Sequence, residues 1–273
     1  TVTKRLSFYG VGFDLEENPG NQASNITSKI NGIMYFQNGS EYSQLEGFDG
    51  NFNIHLLTSN ITIKKNKLDR ITINSNNIHD ILIIQNKLFA DNPIYIPAYN
   101  THGFIYNNII ETDIIDDNTA IKLICEDSYW IIINNILKSY HAINTQVLNT
   151  NAIYFANNII IEGFFDYNSF TDDSIIRFNM SNEDQLPEGY NNIENIDMNT
   201  VFNDPDGDFH LLPGSPAVGA GENGVDMGIY GGVTPYIDGG IPGIPSIFEI
   251  QSSSVGLQQI GLDVIFKAKS NKD

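Results

Sequence analysis

The chain has 273 residues, of which 41% are hydrophobic and 17% are charged, so it can bury one large core in one or two domains. Its 33 acidic residues outnumber 14 Lys and Arg, and the formal charge of -19 argues against nucleic acid or anionic lipid as a partner. No apolar run is long enough to insert directly into a membrane, and a single cysteine, Cys125, excludes a disulfide framework.

The composition predicts an all-β protein. The chain contains 42 Ile and 35 Asn, which combines strand-forming β-branched residues with residues that favour tight turns. No window shows the three-four apolar spacing of a capped helix. In chain order, the first predicted strands cover residues 6–9, 32–36 and 52–55, and they are separated by turns at residues 10–12 and 18–20.

A repeat follows these strands. Five segments share an apolar strand, an asparagine, one variable residue and an aliphatic residue, and their asparagines are separated by 20, 21, 27 and 23 residues. Repeats of this length with one strand each indicate a solenoid, whose coils bury their apolar faces against one another. The five asparagines are predicted to point inward and bond to one another from coil to coil, as a ladder of Asn66, Asn86, Asn107, Asn134 and Asn157.

The repeat, as in the segment Ile131-Ile-Ile-Asn-Asn-Ile136, resembles the right-handed parallel β-helix family, the pectate-lyase-like group. Residues 208–221 and 226–232 are similar to the closing segment of many secreted bacterial members of that group. The resemblance covers residues 1–232 and implies a single-stranded right-handed parallel β-helix with a short C-terminal β-strand tail. Because this fold carries lyases, hydrolases, epimerases and adhesins, the fold alone does not assign a reaction.

The domain organisation follows from a change of composition near residue 232. We predict a parallel β-helix over residues 1–232 and a Gly/Pro connector over 233–246. Two strand-like runs over 247–273 are predicted to form a hairpin that docks on the helix or an interaction tail.

A glycan-contacting surface is predicted from the residues that follow each ladder asparagine. These residues should share one outward face, and Lys67 and Lys87, with Lys64, Lys65 and Arg70 nearby, would concentrate positive charge for an anionic sugar. Trp130 is the aromatic residue chosen for sugar stacking, although strand alternation requires some aromatics to point inward. The predicted ligand-binding residues are Lys67, Lys87, Asn108, Trp130, Asn135 and Asn158.

Two further sites are candidates. The resemblance to polysaccharide lyases directs attention to a base near a carboxylate, and the candidates for catalysis are Lys122, His141 and Arg177. Asp204, Asp206 and Asp208 alternate around Gly207, a pattern that can converge on calcium, although the same string is also an ordinary Asp-rich turn.

Three functions are compatible with these observations. The leading hypothesis is a secreted or cell-surface module with a structural or adhesin-like, glycan-binding role, whose partners are polysaccharide or other surface proteins. The alternatives are a polysaccharide lyase or other carbohydrate-active enzyme, and a self-associating filament subunit. We lean away from an enzyme because no catalytic motif of the family is matched. A secretion signal is expected upstream of Thr1.

Overall fold

The fold is all-β in the computed structural model, which describes residues 1–18, 20, 22–114, 117–124, 126–145, 151–253 and 261–270, so that Cys125 lies outside the described residues. The strands of these residues are β1 (Ser7–Tyr9), β2 (Gly32–Phe36), β3 (Gln44–Glu46), β4 (Phe52–Leu56), β5 (Thr62–Lys64), β6 (Lys67–Leu68), β7 (Arg70–Ile73), β8 (Ile81–Ile84), β9 (Lys87–Phe89), β10 (Ile94–Ile96), β11 (His102–Tyr106), β12 (Ile109–Glu111), β13 (Thr119–Leu123), β14 (Tyr129–Ile133), β15 (Ile136–Lys138), β16 (His141–Thr145), β17 (Ala152–Ala156), β18 (Ile159–Ile160), β19 (Phe164–Phe165), β20 (Ile175–Arg177), β21 (Met180–Ser181), β22 (Phe202–Asp204), β23 (Asp208–Leu211), β24 (Ser246–Ser252) and β25 (Val264–Lys269). The helices are short 3-10 turns at Tyr167–Ser169, Met198–Thr200, Glu222–Gly224 and Asp238–Gly240. Among the described residues, no helix has the length and apolar character needed to cross a membrane.

Three long parallel sheets form the body of the molecule. The eight-stranded sheet has the order β1-β3-β5-β8-β11-β14-β17-β20, the seven-stranded sheet β19-β16-β13-β10-β7-β4-β2, and the six-stranded sheet β21-β18-β15-β12-β9-β6. From β4 to β21, consecutive strands enter the seven-, eight- and six-stranded sheets in turn. Each circuit of the chain therefore lays one strand on each sheet, which is the arrangement of a parallel β-solenoid.

The core follows from strand alternation. In β14, Trp130 and Ile132 are fully buried, whereas Tyr129, Ile131 and Ile133 are on the outer face. The Trp130 indole NH donates to Thr101 Oγ1 at 3.3 Å, and its ring occupies the space that a side chain at Gly103 would fill. The prediction that Trp130 stacks on a sugar is therefore wrong, because alternation turns this residue into the core.

An inner asparagine ladder runs along the solenoid, where each strand of the eight-stranded sheet turns into the six-stranded sheet. Each side-chain amide donates to the Oδ1 of the asparagine in the next coil, at 3.0 to 3.3 Å. The members are Asn66, Asn86, Asn108, Asn135, Asn158, Asn179 and Asn192.

The ladder corrects the sequence prediction in three coils. Asn66 and Asn86 are ladder residues as predicted, but in the later coils the second asparagine of each Asn-Asn pair points inward. The prediction is therefore wrong by one residue for the ladder positions Asn107, Asn134 and Asn157. The same shift makes the predicted sugar contacts of Asn108, Asn135 and Asn158 wrong, because all three are fully buried in the ladder.

An outer amide row precedes the ladder by one residue. Its backbone is left-handed, with φ between 52° and 58°, a conformation that asparagine tolerates better than most residues. Its members are Gln85, Asn107, Asn134 and Asn157.

The outer amide row binds the closing segment, which we define as residues 202–240. Asn107 donates to the carbonyls of Ile229 and Gly231 at 2.8 and 2.9 Å, and Asn134 donates to the carbonyl of Gly228 at 2.9 Å. These bonds hold the closing segment over the six-stranded sheet. A second apolar cluster fills the space between them, formed by residues that include Ile109, Ile136, Ile159, Phe209, Met227 and Ile229.

The C-terminal strands β24 and β25 pair with each other antiparallel. The pair contacts the N-terminal part of the chain, where the backbone NH of Ala23 donates to the carbonyl of Ile247 at 2.8 Å. Between this pair and residue 232, the chain is packed against the N-terminal residues: Gly240 touches Phe13, and the backbone NH of Gly243 lies 3.3 Å from Glu46 Oε1.

Candidate ligand-binding cleft

The predicted basic patch is paired with carboxylates. Lys67 Nζ lies 2.5 Å from Asp14 Oδ1 and Lys87 Nζ lies 3.6 Å from Asp14 Oδ2. Lys64 and Lys65 both contact Glu46, at 3.3 and 3.2 Å. Asp14 lies in the N-terminal turn region, more than 50 residues from either lysine in sequence. Two carboxylates thus compensate about half of the positive charge of these four lysines within the molecule.

Asp14 and Lys87 belong to the wall of a cleft of about 370 Å³ between the N-terminal residues and the closing segment. We call it the closing-segment cleft. The apolar part of its lining is formed by Phe13, Ile109, Phe209 and Tyr236. The polar part contains Asp14, Glu17, Asn18, Lys87, Asp208, His210, Tyr230 and Asp238. A concave, partly apolar space with a few convergent polar groups is the usual form of a small-ligand site.

Hydrogen bonds order one wall of the cleft. His210 Nδ1 lies 2.6 Å from Asp208 Oδ1, and its Nε2 lies 3.5 Å from Asp238 Oδ2. The Tyr230 hydroxyl donates to Asp238 Oδ1 at 2.6 Å, and its ring stacks on His210 with a centroid distance of 4.3 Å. Asp208 and Asp238 thus fix the orientation of the two stacked rings, while the His210 side chain remains 50% exposed and lines the cleft.

The electrostatics of this wall follow from burial and from these bonds. Burial, reinforced by the hydrogen bond to Asp238, raises the pKa of Tyr230 far above its ordinary value, so the phenol stays protonated. Burial opposes ionisation of Asp208, but the bonds from His210 and Asn203 outweigh it and lower the pKa of that carboxyl. The wall therefore offers acceptor oxygens beside a neutral phenol at neutral pH.

The three catalytic candidates are not brought together. Lys122 and His141 lie on β13 and β16 of the seven-stranded sheet. Burial lowers the pKa of His141 against the opposing charge of Asp117, and the charge of Lys122 adds to the effect of burial. Arg177 lies on β20 of the eight-stranded sheet, where its Nη2 donates to Glu222 Oε1 at 2.5 Å and to the Tyr154 hydroxyl at 2.8 Å. Lys122 and Arg177 thus occupy different faces of the solenoid.

The calcium candidates are divided among other partners. Asp206 pairs with Lys138, and Asp208 pairs with His210, while Asp204 accepts the backbone NH of Asp206 at 3.0 Å. In the described part of the chain, no group of three or more His, Cys, Asp and Glu side chains is placed to hold a metal ion. Asp208 instead contributes to the closing-segment cleft.

Among the residues that line the cleft, the sequence analysis identified Lys87 and Asp208, and it also identified Lys67, which pairs with Asp14. It missed Asp14, His210, Tyr230 and Asp238. These residues come from three distant stretches of the chain, and no short motif joins them. The closing segment was identified, and its Asp-x-His string at residues 208–210 was the one local signal for the cleft wall.

Comparisons of the chain with protein families, with curated proteins and with solved structures find no match.

Proposed function

We propose that this chain is a glycan-binding β-helix module of a secreted or cell-surface protein, and that it holds a saccharide in the closing-segment cleft. We also propose that its solenoid is the single-stranded right-handed helix of the pectate-lyase-like group. The observation that carries the functional proposal is the wall in which the stacked rings of His210 and Tyr230 stand beside the carboxylates of Asp208 and Asp238.

This wall suits the chemistry of a sugar. A sugar ring has an apolar face of C–H groups, which packs on an aromatic ring, and an edge of hydroxyl groups, which donate to carboxylates. The volume of about 370 Å³ is within the range of small-molecule sites. Because Lys67 and Lys87 share Asp14, and because further carboxylates line the cleft, a neutral saccharide is favoured over the anionic sugar first expected.

Recognition is favoured over lyase catalysis because β-elimination needs a base and charge neutralisation at one centre, and Arg177 lies on a different sheet from Lys122 and His141 and is already bonded to Glu222 and Tyr154. Self-association is disfavoured by the charge of -19, which makes copies of the chain repel one another at low salt. Light scattering of the purified chain tests the filament alternative directly.

The test of the cleft is calorimetric titration of the purified chain with neutral and acidic oligosaccharides, together with an assay for new reducing or unsaturated ends. Asp238→Asn keeps an oxygen that can accept the Tyr230 hydrogen bond and removes the charge. A hydrogen bond from a sugar hydroxyl to a carboxylate is about twice as strong as one to a neutral amide oxygen. We therefore expect this variant to bind a neutral saccharide about fivefold more weakly.

The matched control is Asp184→Asn, which changes an exposed carboxylate that does not line the cleft, and we expect it to bind like the parent chain. Equal binding by the Asp238→Asn variant would refute the cleft as the site. Formation of unsaturated ends would establish the lyase alternative instead.

A further inference from the structure

The three outer faces of the solenoid differ in chemistry. The six-stranded sheet is covered by the closing segment. The outer row of the seven-stranded sheet mixes polar and aromatic side chains, in the order Tyr35, His55, Thr72, Tyr95, Lys122 and Asn144. From β8 to β20, the outer row of the eight-stranded sheet is apolar and keeps part of its surface in solvent. This row consists of Leu82, Phe104, Ile131, Tyr154 and Ile175.

The row is straight because the strands pair in register without a shift from β8 to β20. Neighbouring strands of a sheet are about 4.8 Å apart, so five positions span roughly 19 Å. A second outer row runs beside it and carries Tyr106 and Ile133. Phe104 and Tyr106 meet edge to face at a centroid distance of 5.5 Å, which gives the surface two rings at its centre.

At one end this apolar row opens into a groove of about 570 Å³. Tyr42 forms part of the lining with 64% of its surface exposed, and the Arg5 guanidinium lies 5.8 Å from the centre of its ring. Gln44, Asn60 and Asp80 add hydrogen-bonding groups around Leu82 and Phe104. The groove thus combines ring faces with both donors and acceptors, and its two charged groups have opposite signs.

We propose that an unbranched, uncharged glycan lies in this groove and continues along the apolar row, parallel to the solenoid axis. The inference rests on the proposed function, and it adds the class of glycan and a binding surface separate from the closing-segment cleft. The rings of Tyr42, Phe104 and Tyr106 pack on the C–H faces of successive sugars, while Gln44 and Asn60 bond to hydroxyl groups at the edge.

Other occupants fit this face less well. A second copy would bring another charge of -19 against the first, and a charged polymer of the same sign would be repelled in the same way. An extended peptide pairs with the free edge of a sheet, whereas this surface is the face of a sheet whose strands are already paired on both sides from β3 to β17. A neutral polymer with apolar faces meets neither obstacle.

The experiment measures affinity against chain length. Cello-, xylo- and manno-oligosaccharides, from disaccharide to octasaccharide, are titrated into the full chain, with oligogalacturonates of the same lengths as the charged arm. We expect at least one neutral series to bind with an affinity that rises with length, because longer chains reach further along the row. The oligogalacturonates are expected not to bind here.

Two variants assign this binding to the face. Phe104→Ala removes a central ring. Tyr42→Ala removes an exposed ring without disturbing the core, so it still tests the face if the Phe104→Ala variant unfolds. Each is expected to weaken binding of the longest neutral oligosaccharide about tenfold. Phe164→Ala, which removes an exposed phenylalanine from the seven-stranded sheet, is the control and should have no effect.

The outcomes separate this inference from the proposed function. If Asp238→Asn weakens the binding of neutral oligosaccharides and neither Phe104→Ala nor Tyr42→Ala does, the proposal for this face is refuted and the closing-segment cleft remains as the site. If no neutral oligosaccharide binds, both this inference and the proposed function are refuted. A dimer that Phe104→Glu converts to a monomer would show that the face binds a second copy, and binding of oligogalacturonates alone would also refute the proposal.

Discussion

Asparagines at neighbouring positions perform different tasks at the short turn between the eight- and six-stranded sheets. Asn135 of the inner ladder is fully buried and bonds only within the solenoid, through Asn108, Asn158 and the carbonyls of two strands. Asn134, one residue earlier, points outward and bonds to the carbonyls of Asp226 and Gly228 in the closing segment. The chain thus uses one residue type both to connect successive coils and to bind the closing segment to the solenoid.

The difference shows how backbone conformation assigns the two roles. The outer residue has a φ of 57° at Asn134, which turns the chain sharply and directs the next side chain into the interior. At the equivalent position other coils have Lys65, Gln85 and Phe178, also with positive φ. The inner position is asparagine in all of these coils, where its short amide donates to a strand carbonyl and its oxygen can accept at the same time.

The largest effect is expected from Asn135→Ala. This change leaves the backbone NH of Asn108 and the carbonyl of Ile105 without their buried partners, so we expect the free energy of unfolding to fall by about 3 kcal/mol. Urea unfolding measures this loss. Asn31→Ala, at an exposed asparagine, should change it by less than about 0.5 kcal/mol. Equal losses at the two sites would contradict the ladder.

A smaller effect is expected from Asn134→Ala. The change removes two bonds to the closing segment and places alanine in a left-handed conformation, for a total cost of about 2 kcal/mol. Hydrogen exchange should accelerate most at the backbone NH groups of residues 227–236, because the segment opens before the solenoid does. Uniform acceleration across the three sheets would mean that the outer row supports the coils themselves.

Asn134→Gly isolates the contribution of the closing segment. Glycine adopts the positive φ without strain but makes no side-chain bonds, so we expect a loss of about 1 kcal/mol, roughly half of that for the alanine variant. The same urea experiment compares the two substitutions. If glycine and alanine cost equally, backbone strain is negligible at this turn and the bonds to the closing segment account for the whole effect.

The solenoid could be predicted from the sequence because its signal is local and repeated. The strand pattern and the spacing of the asparagines predicted a parallel β-helix, and the three parallel sheets agree with it at the level of a β-solenoid. The ladder register could not be read from Asn107-Asn108, Asn134-Asn135 and Asn157-Asn158, where both positions are asparagine. Lys65-Asn66 and Gln85-Asn86 held the missing signal, because only the second position is asparagine there.

The closing-segment cleft could not be predicted, for a different reason. Lys87 and His210 reach the same cleft only because the closing segment folds back along the solenoid, and this path depends on bonds such as that between Asn107 and Ile229. The partner of Lys67 was equally hidden, since Asp14 lies in an N-terminal turn with no repeat to fix its position. A lysine stack can be read from coil spacing, but its pairing with a distant carboxylate cannot.

The smallest expected effect is a dependence of the free energy of unfolding on pH. It separates the outer region of the solenoid from the inner ladder, because the ladder contains no ionisable group. Glu111 lies at the end of β12, on the six-stranded sheet. Burial raises the pKa of its carboxyl above the ordinary value of 4.5, although Lys87 and Lys138 act in the opposite direction. Between 4.5 and the raised value, the folded chain holds more protons than the unfolded chain, so stability falls as the pH rises through that window.

Glu111→Gln removes this dependence while it keeps the shape of the side chain. We expect the variant to be more stable than the parent at pH 7, and the gain to disappear below the ordinary pKa, where both side chains are neutral. Urea unfolding at a series of pH values measures the difference, with Glu188→Gln at an exposed site as the control. A variant that is less stable at pH 7 would show that the attraction of Lys87 and Lys138 outweighs burial, and that charge as well as amide bonding holds the outer region in place.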